Sequence, residues 1–464
     1  MAAKTRAVFR CSACGHQPAK WVGRCPECGE WGTVDEAVAA VAAKGRTTAG
    51  VAPSSPAKRL TEIGSEAAAV IPTGIGEFDR VLGRGVVPGS VILLAGEPGV
   101  GKSTLLLEAA KHWARGGRKV LYVTGEESAG QVRLRAERTD AVDENVYLAA
   151  ESDLGTVLGH VTEVDPTLLI VDSVQTMVAG DSDGVHGGVT QIRAVTTALV
   201  SLAKNTGVAV ILVGHVTKDG AVAGPRSLEH LVDVVLSFEG DRHSPLRMVR
   251  GVKNRFGAAD EVGCFEQRDN GIHQVTDPSG IFWHERAGDV TGSAVLVTMD
   301  GKRALVGEIQ ALANPAEMNN PRRAVSGLDS ARVAMVLAVL QARLGMKDLG
   351  KSEVYTSTVG GMKVTEPAAD LAIAMAIASV AKDAPIPFDT VVIGEVGLAG
   401  EVRPVGSLTR RVAEAKRLGF RHAVIPSSGA DREELPKGIR VSRVANLLEA
   451  VDACLSGGKP SFDF

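Results

Sequence analysis

Short apolar runs, each closed by glycine or charged residues, punctuate the middle of the chain. Residues 90–95, 119–124, 167–171 and 208–213 have the length and composition of β-strands, and residues 246–252 add one more run of this kind. Residues 104–115, after the first run, read as a helix that Gly116-Gly117 closes. These elements sit in residues 61–287, read as one α/β domain. From about Gly288 the pattern changes, and alanine-rich helical stretches alternate with short strands through residues 288–464, read as a second α/β domain. Residues 35–60 are rich in Ala, Gly, Pro, Ser and Thr without a sustained apolar pattern, which predicts a flexible linker behind a small segment, residues 1–34. The longest nearly apolar stretch, residues 371–381, is too short to span a bilayer.

A length of 464 residues calls for two or three domains rather than one. Hydrophobic residues at 45% and charged residues at 23% can fill ordinary cores, so a soluble globular class is expected. The first residues lack a signal-peptide layout, and the expected location is the cytoplasm, with no membrane partner. Net charge is only -3, but nine basic and four acidic side chains fall in residues 1–60, leaving 42 against 50 for the rest. A basic arm on an acidic body is compatible with a phosphate-bearing partner, although solvated charge on a tail is the commoner explanation.

Four of the six cysteines form two CxxC pairs, Cys11 with Cys14 and Cys25 with Cys28, ten residues apart. Each turn directs two thiolates at one point, and Gly15 and Gly29 let backbone N–H groups approach the sulfurs, so a four-thiolate zinc site is predicted. The alternative of two disulfides is disfavoured in a reducing cytosol, and a segment of about 34 residues has too little core without the metal. Trp21, Trp31, Lys20 and Arg24 beside the pairs fit either base stacking and phosphate contact, or a small core with a solvated rim. Cys264 and Cys454 have no spaced partners and are expected to be buried structural thiols.

The run 90–95 ends in Gly96, Glu97, Pro98, Gly99, Val100, Gly101, Lys102 and Ser103, followed by Thr104, which is a complete GxxxxGKS phosphate loop between strand and helix. Its glycines turn backbone N–H groups onto the phosphates of a nucleotide, Lys102 supplies charge to the terminal phosphates, and the Ser103 hydroxyl is placed for Mg2+. Asp172 ends the run 167–171, where a carboxylate holds the same ion from the other side or simply caps a core strand. Glu126 and Glu127 follow the run 119–124; one is expected to orient or deprotonate the attacking water, unless both merely open the next helix. His215 follows the run 208–213 after Gly214, where a polar group can sense the terminal phosphate or just satisfy a hydrogen bond. Glycine-rich loops follow Asp172 (Gly180, Gly184, Gly187, Gly188) and His215 (Lys218, Gly220, Gly224, Arg226), as binding loops and plain exposed loops both do. Lys253 and Arg255 alternate at a strand end and project to one side, which suits a triphosphate, in particular a neighbouring subunit's, or a solvated edge.

Together these motifs resemble the RadA family of bacterial DNA repair proteins over essentially the whole chain. The resemblance rests on the four-cysteine pattern, GEPGVGKST at 96–104, GEES at 125–128 and, most discriminating, KNRFG at Lys253, Asn254, Arg255, Phe256 and Gly257. It implies a RecA-like P-loop ATPase core with a zinc ribbon, assembled as a homo-hexameric ring that uses ATP, Mg2+ and Zn2+. Such a protein would bind single-stranded and branched DNA and drive branch migration with the RecA recombinase in a helicase-like manner. By the same resemblance Glu126 matches the catalytic glutamate, His215 the phosphate sensor, and Lys253 with Arg255 the motif coupling ATP to DNA; the DNA-binding loops would carry Lys218 and Arg226. Residues 360–370 and 394–406 resemble the framework of the Lon proteolytic domain, but Ala368 stands where Lon has its serine and Thr409 where it has its lysine. Neither offers an activated nucleophile, so this domain is read as an inactive scaffold. Its cations Lys347, Lys351, Lys363, Arg403, Arg410 and Arg411 fit a DNA path or a solvated surface. An ATP-dependent protease or unfoldase, and a nucleotide switch without motor action, are the rival readings.

Overall fold

The structure is a computed structural model that describes residues 8–11, 16, 18, 20–37, 59, 61, 69–180, 185, 187–215, 228–240, 245–282, 289–316, 321–429 and 434–455. The chain divides into two compact bodies, residues 1–65 and residues 66–464. In the first, β1 (Val8–Cys11) and β2 (Val34–Ala37) pair antiparallel, with Cys11 opposite Val34. Cys11, Cys25 and Val34 form its small core. β2 carries the ribbon to Ala37, past the expected linker boundary at residue 34, because Asp35 and Glu36 take their places by backbone pairing and show no apolar alternation. Cys14 and most of the linker lie outside the described residues.

The second body begins with an α/β layer. Its strands are β3 (Val91–Gly96), β4 (Val120–Thr124), β5 (Val146–Ala150), β6 (Leu168–Asp172), β7 (Ala209–His215), β8 (Val234–Gly240), β9 (Leu246–Asn254), β10 (Val262–Arg268) and β11 (Gly271–Gln274). Among the described residues they form one sheet in the order β11-β10-β9-β8-β3-β7-β6-β4-β5. β8 through β5 run parallel, and β9 to β11 add antiparallel strands at one side. The helices α1 (Gly76–Leu82), α2 (Lys102–Arg115), α3 (Ala129–Arg138), α4 (Leu154–Val164) and α5 (Val189–Thr206) complete the layer. Continuous apolar runs make the central strands because both faces are covered. Ile92 and Leu94 of β3 pack with Leu105 and Leu106 of α2, whereas Val91 and Leu93 pack in the cluster that holds Val157 of α4 and Leu199 of α5.

Residues 289–455 build a second sheet whose strands include β12 (Ser293–Asp300), β13 (Arg303–Pro315), β14 (Arg323–Ser326), β15 (Ser352–Thr358), β16 (Thr390–Val392) and, beyond the short hairpin of β17 (Glu395–Val396) and β18 (Val402–Arg403), β19 (His422–Pro426) and β20 (Arg440–Val444). Its order is β14-β15-β13-β12-β16-β19-β20. The long apolar stretch becomes the helix Asp370–Ala381, buried from Asp370 through Ser379, which is why it shows no polar face. Among the described residues no helix is long and apolar enough to cross a membrane.

The two sheets share a core. Leu246, Val262 and Cys264 from the first cluster with Leu296 and Leu305 of the second. Arg303 crosses the seam to pair with buried Glu77 of α1 and donates to the carbonyls of Val262 at 3.1 Å and Thr276 at 3.0 Å. Residues 66–464 therefore pack as one body, and the expected boundary at 287/288 falls outside the described residues.

Candidate active site

The carboxyl ends of β3, β4, β6 and β7 lie side by side, with Gly96 level with His215 and Thr124 level with Asp172. Four segments distant in sequence thus meet along one edge, where ligands of open parallel sheets bind. The phosphate loop leaves β3 at Gly96, where a methyl group would come within 2.4 Å of the Phe238 carbonyl oxygen, so only glycine fits beside β8. Gly99 at φ 80° and Gly101 at φ 108° make the left-handed turns that bring the chain into α2. α2 starts without a side-chain cap, leaving its first N–H groups directed at the loop.

Lys102 is buried, and its Nζ donates to the carbonyls of Gly96 and Glu97 at 2.9 Å each. Burial pulls its ammonium down to about 8, against the opposing influence of Asp172 and Glu126. The Tyr122 hydroxyl donates to Asp172 Oδ2 at 2.6 Å and orients that carboxylate. Burial, with the Asp172 charge beside it, pushes the phenol well above its ordinary range, so it remains a donor. Ser103 and Asp172 offer a hydroxyl and a carboxylate, the all-oxygen donor set that magnesium takes.

The two glutamates after β4 go different ways. Glu127 pairs with Arg135 of α3. Glu126 Oε1 accepts from Ser173 Oγ at 2.6 Å and lies 3.3 Å from His215 Nε2. α3 opens at Ser128 with a capping box to Gln131, so both glutamates precede the helix and neither belongs to its first turn. His215 Nδ1 is buried without a partner among the described residues. Ser173, wholly buried, and Tyr122 did not stand out in the sequence; each reaches the site across 47 and 50 residues respectively, with no local motif to announce it.

The KNRFG segment lies elsewhere. β8 runs parallel to β3, and β9 returns antiparallel with Lys253 opposite Val235 and Asn254 opposite Val234. Lys253 is thereby level with Leu93 and Asn254 with Ile92, about 10 and 13 Å of strand short of Gly96, where the chain's own phosphate loop begins. Arg255 pairs with Asp233 at 3.0 Å, while Lys253 Nζ donates to the carbonyls of Glu229 at 2.5 Å and Val232 at 2.9 Å. Burial opposes it, but hydrogen bonds from Lys204, the Val91 N–H and Arg255 hold the Asp233 carboxyl below its usual range. Asn254 Nδ2 donates to the carbonyls of Val81 at 3.3 Å and Leu82 at 3.1 Å, tying the turn to the end of α1. Phe256 is half-exposed, and Gly257 packs against Gly83, where an added methyl group would stand a tight 3.2 Å from the Gly83 Cα and from Asn254 Nδ2. Lys218 and Arg226 lie outside the described residues.

In the ribbon, the sulfurs of Cys11, Cys25 and Cys28 lie within 4.8 Å of one another, and those of Cys11 and Cys28 are 3.7 Å apart. Thiolates at about 2.3 Å from one tetrahedral ion stand about 3.8 Å apart, so the set fits zinc. Trp21 and Trp31 are exposed, with the Arg24 guanidinium 5.9 Å from the Trp31 ring, so neither fills the ribbon's core.

In the second sheet's domain, Ala368 is buried and Thr409 lies in the helix Leu408–Arg417. Between their segments Arg411 pairs with Glu366 through two 2.7 Å contacts, and Thr298 donates to the same carboxylate at 2.6 Å. Burial opposes it, but these donors hold Glu366 below the usual carboxylate range. Arg411 is thus an interior ion-pair partner and lies on neither a DNA path nor a solvated surface, the two readings its sequence left open; its helix turns it inward. Arg403 is exposed but engaged by Glu401 at 2.6 Å.

Comparison with known proteins adds three domain matches. Residues 9–36 match the rubredoxin metal binding domain, residues 75–221 the AAA domain, and residues 330–457 the Lon protease (S16) C-terminal proteolytic domain. The chain is 59% identical over 456 residues to the DNA repair protein RadA of Mycolicibacterium smegmatis, covering 97% of each. It is 57% identical over 453 residues to that of Mycobacterium tuberculosis, covering 97% of this chain and 93% of the relative. With RadA of Bacillus subtilis it shares 43% over 458 residues, 98% of this chain and 100% of the relative. Identity at this level along nearly the whole of both sequences, with an AAA domain over the phosphate loop, establishes that the chain belongs to the RadA family of DNA repair proteins and is an ATPase of that family.

Proposed function

We propose that this ATPase is DNA-dependent, binding single-stranded and branched DNA and driving branch migration with the RecA recombinase as a hexameric ring. The observation that carries the reading is the separation of two charged sites on one sheet. Lys102, Asp172, Glu126 and His215 meet at the carboxyl edge, and Lys253 with Arg255 stand at the opposite end, out of reach of their own phosphate loop. Such an arrangement uses every part only when subunits stack, so that one chain's cations meet its neighbour's nucleotide.

In this reading the loop N–H groups and Lys102 hold the phosphates of ATP. Glu126 accepts a proton from the attacking water, and His215, 3.3 Å away, registers the loss of the terminal phosphate. Ser103 and Asp172 would hold magnesium, which supplies charge neutralisation at the phosphates. Cys11, Cys14, Cys25 and Cys28 would hold the ribbon's zinc. The Lon-like domain acts as a scaffold without peptidase activity, since alanine and threonine replace the dyad.

Steady-state ATP hydrolysis with and without single-stranded DNA tests the reading. DNA should stimulate the intact chain; Lys102→Ala and Glu126→Gln should lose turnover by about 10²- to 10⁴-fold, and Lys253→Ala should lose the DNA response. Equal rates with and without DNA would leave a nucleotide switch as the better account.

A further inference from the structure

We infer that Ser173 is a positioning residue for ATP hydrolysis, selecting which oxygen of Glu126 faces the attacking water. The inference rests on the reading of Glu126 as the general base. Ser173 has no exposed surface, and its hydroxyl donates to Glu126 Oε1 at 2.6 Å. That short contact is a charge-assisted bond between a neutral donor and a carboxylate, the strong class of side-chain hydrogen bond. His215 Nε2 stands 3.3 Å from the same oxygen. Oε1 is therefore held by the Ser173 hydroxyl and has the His215 ring beside it, while Oε2 takes no hydrogen bond among the described residues.

A carboxylate at the end of three rotatable bonds does not present one oxygen to a water unless something holds the other. Here the holder is fixed by its own surroundings. The Ser173 carbonyl accepts from Thr176 Oγ1 at 2.8 Å, and the Val174 N–H next to it bonds the Val213 carbonyl of β7 at 3.0 Å. Ser173 thus follows β6 directly, next to Asp172 and tied to β7 through its neighbour, whereas Glu126 sits on a turn past β4. The hydrogen bond transmits the register of one strand end to the base on its neighbour. With Oε1 held, Oε2 is left to take the proton of a water whose oxygen attacks the terminal phosphorus as the bond to ADP breaks. Ser173 itself neither gains nor loses a proton, and Glu127, paired to Arg135, cannot substitute as base.

The test compares Ser173→Ala, Glu126→Gln and the double variant in the full chain, reading kcat, KM for ATP and the affinity for a fluorescent ADP analogue. Removing a hydrogen bond to a charged group predicts a kcat lower by about 10- to 100-fold, with KM and ADP affinity within about twofold. In the Glu126→Gln background Ser173→Ala should cost no further activity, because there is no base left to position. An equal loss in both backgrounds, a weakened ADP affinity, or an unchanged kcat each overturns the inference. If Glu126→Gln itself keeps full turnover, the general-base reading fails first, an outcome separate from a silent Ser173→Ala.

Discussion

The ammonium of Lys102 is buried against the carbonyls of Gly96 and Glu97, and burial brings it down to about 8. Phosphates placed beside it favour the charged form, so the nucleotide-bound lysine holds its proton to higher pH than the free one. The sign follows: ATP affinity is at its full value below about pH 8 and weakens above it by up to about tenfold per unit, with proton uptake on binding. Calorimetric titration in buffers of different ionisation heat, near pH 7 and again near pH 9, measures that uptake. Uptake no larger at the higher pH would count against a depressed Lys102. The same scale separates the two glutamates after β4, since Arg135 removes Glu127 from the site and Ser173 draws Glu126 into it.

At the scale of elements, strand direction decides what can reach what. β3 delivers the phosphate loop at its carboxyl end, and the antiparallel return of β9 leaves Lys253 and Arg255 at the other. A side chain of about 7 Å does not close a gap of about 10 Å along the strand with two strand spacings of about 4.8 Å across it, and the Lys253 ammonium is held by the Glu229 and Val232 carbonyls ahead of β8. Mixed assemblies test the resulting proposal that these cations serve a neighbour. Arg255→Ala chains retain an intact phosphate loop, and Lys102→Ala chains retain intact cations. If the pair works across an interface, mixing the two should recover DNA-stimulated turnover that neither shows alone, read as ATP hydrolysis against mixing ratio. Turnover that stays at the sum of the two separate preparations would count against action across an interface.

For the molecule as a whole, the decisive contact is the seam between its two sheets. Glu77 and Arg303 are both buried there, and the Cys264 N–H donates to the same Glu77 oxygen at 2.9 Å. Breaking one half leaves an unpaired charge in the interior, so Arg303→Ala should cost about 3–5 kcal/mol. The readout is a shift of the urea midpoint for residues 66–464, with the slope compared to detect uncoupling of the two sheets. A change below about 1 kcal/mol, the range of an exposed pair, would mean that apolar contacts such as Val262 with Leu305 carry the seam. Such a strut ties the Lon-like domain mechanically to α1 of the ATPase layer, which fits its reading as a scaffold.

The sequence by itself determined those features whose chemistry lies within one short segment. A phosphate loop binds through consecutive backbone N–H groups, and its left-handed turns at Gly99 and Gly101 are local demands met by local residues. Cysteine pairs two residues apart bring thiols together by turn geometry alone, and apolar runs of five or six residues announce the central strands. Tertiary structure decided the rest. Ser173 meets Glu126 across 47 residues and Arg303 meets Glu77 across 226, so neither pairing leaves a spacing that can be read. Arg411 looks like any helix cation in sequence, and only the packing of its helix against β12 turns it inward to Glu366. Whether Lys253 and Arg255 face their own nucleotide is likewise a matter of strand order and direction. Hydrogen-bonding partners and burial are properties of the packed chain, and pattern along the chain carries only the part of them that neighbouring residues can satisfy.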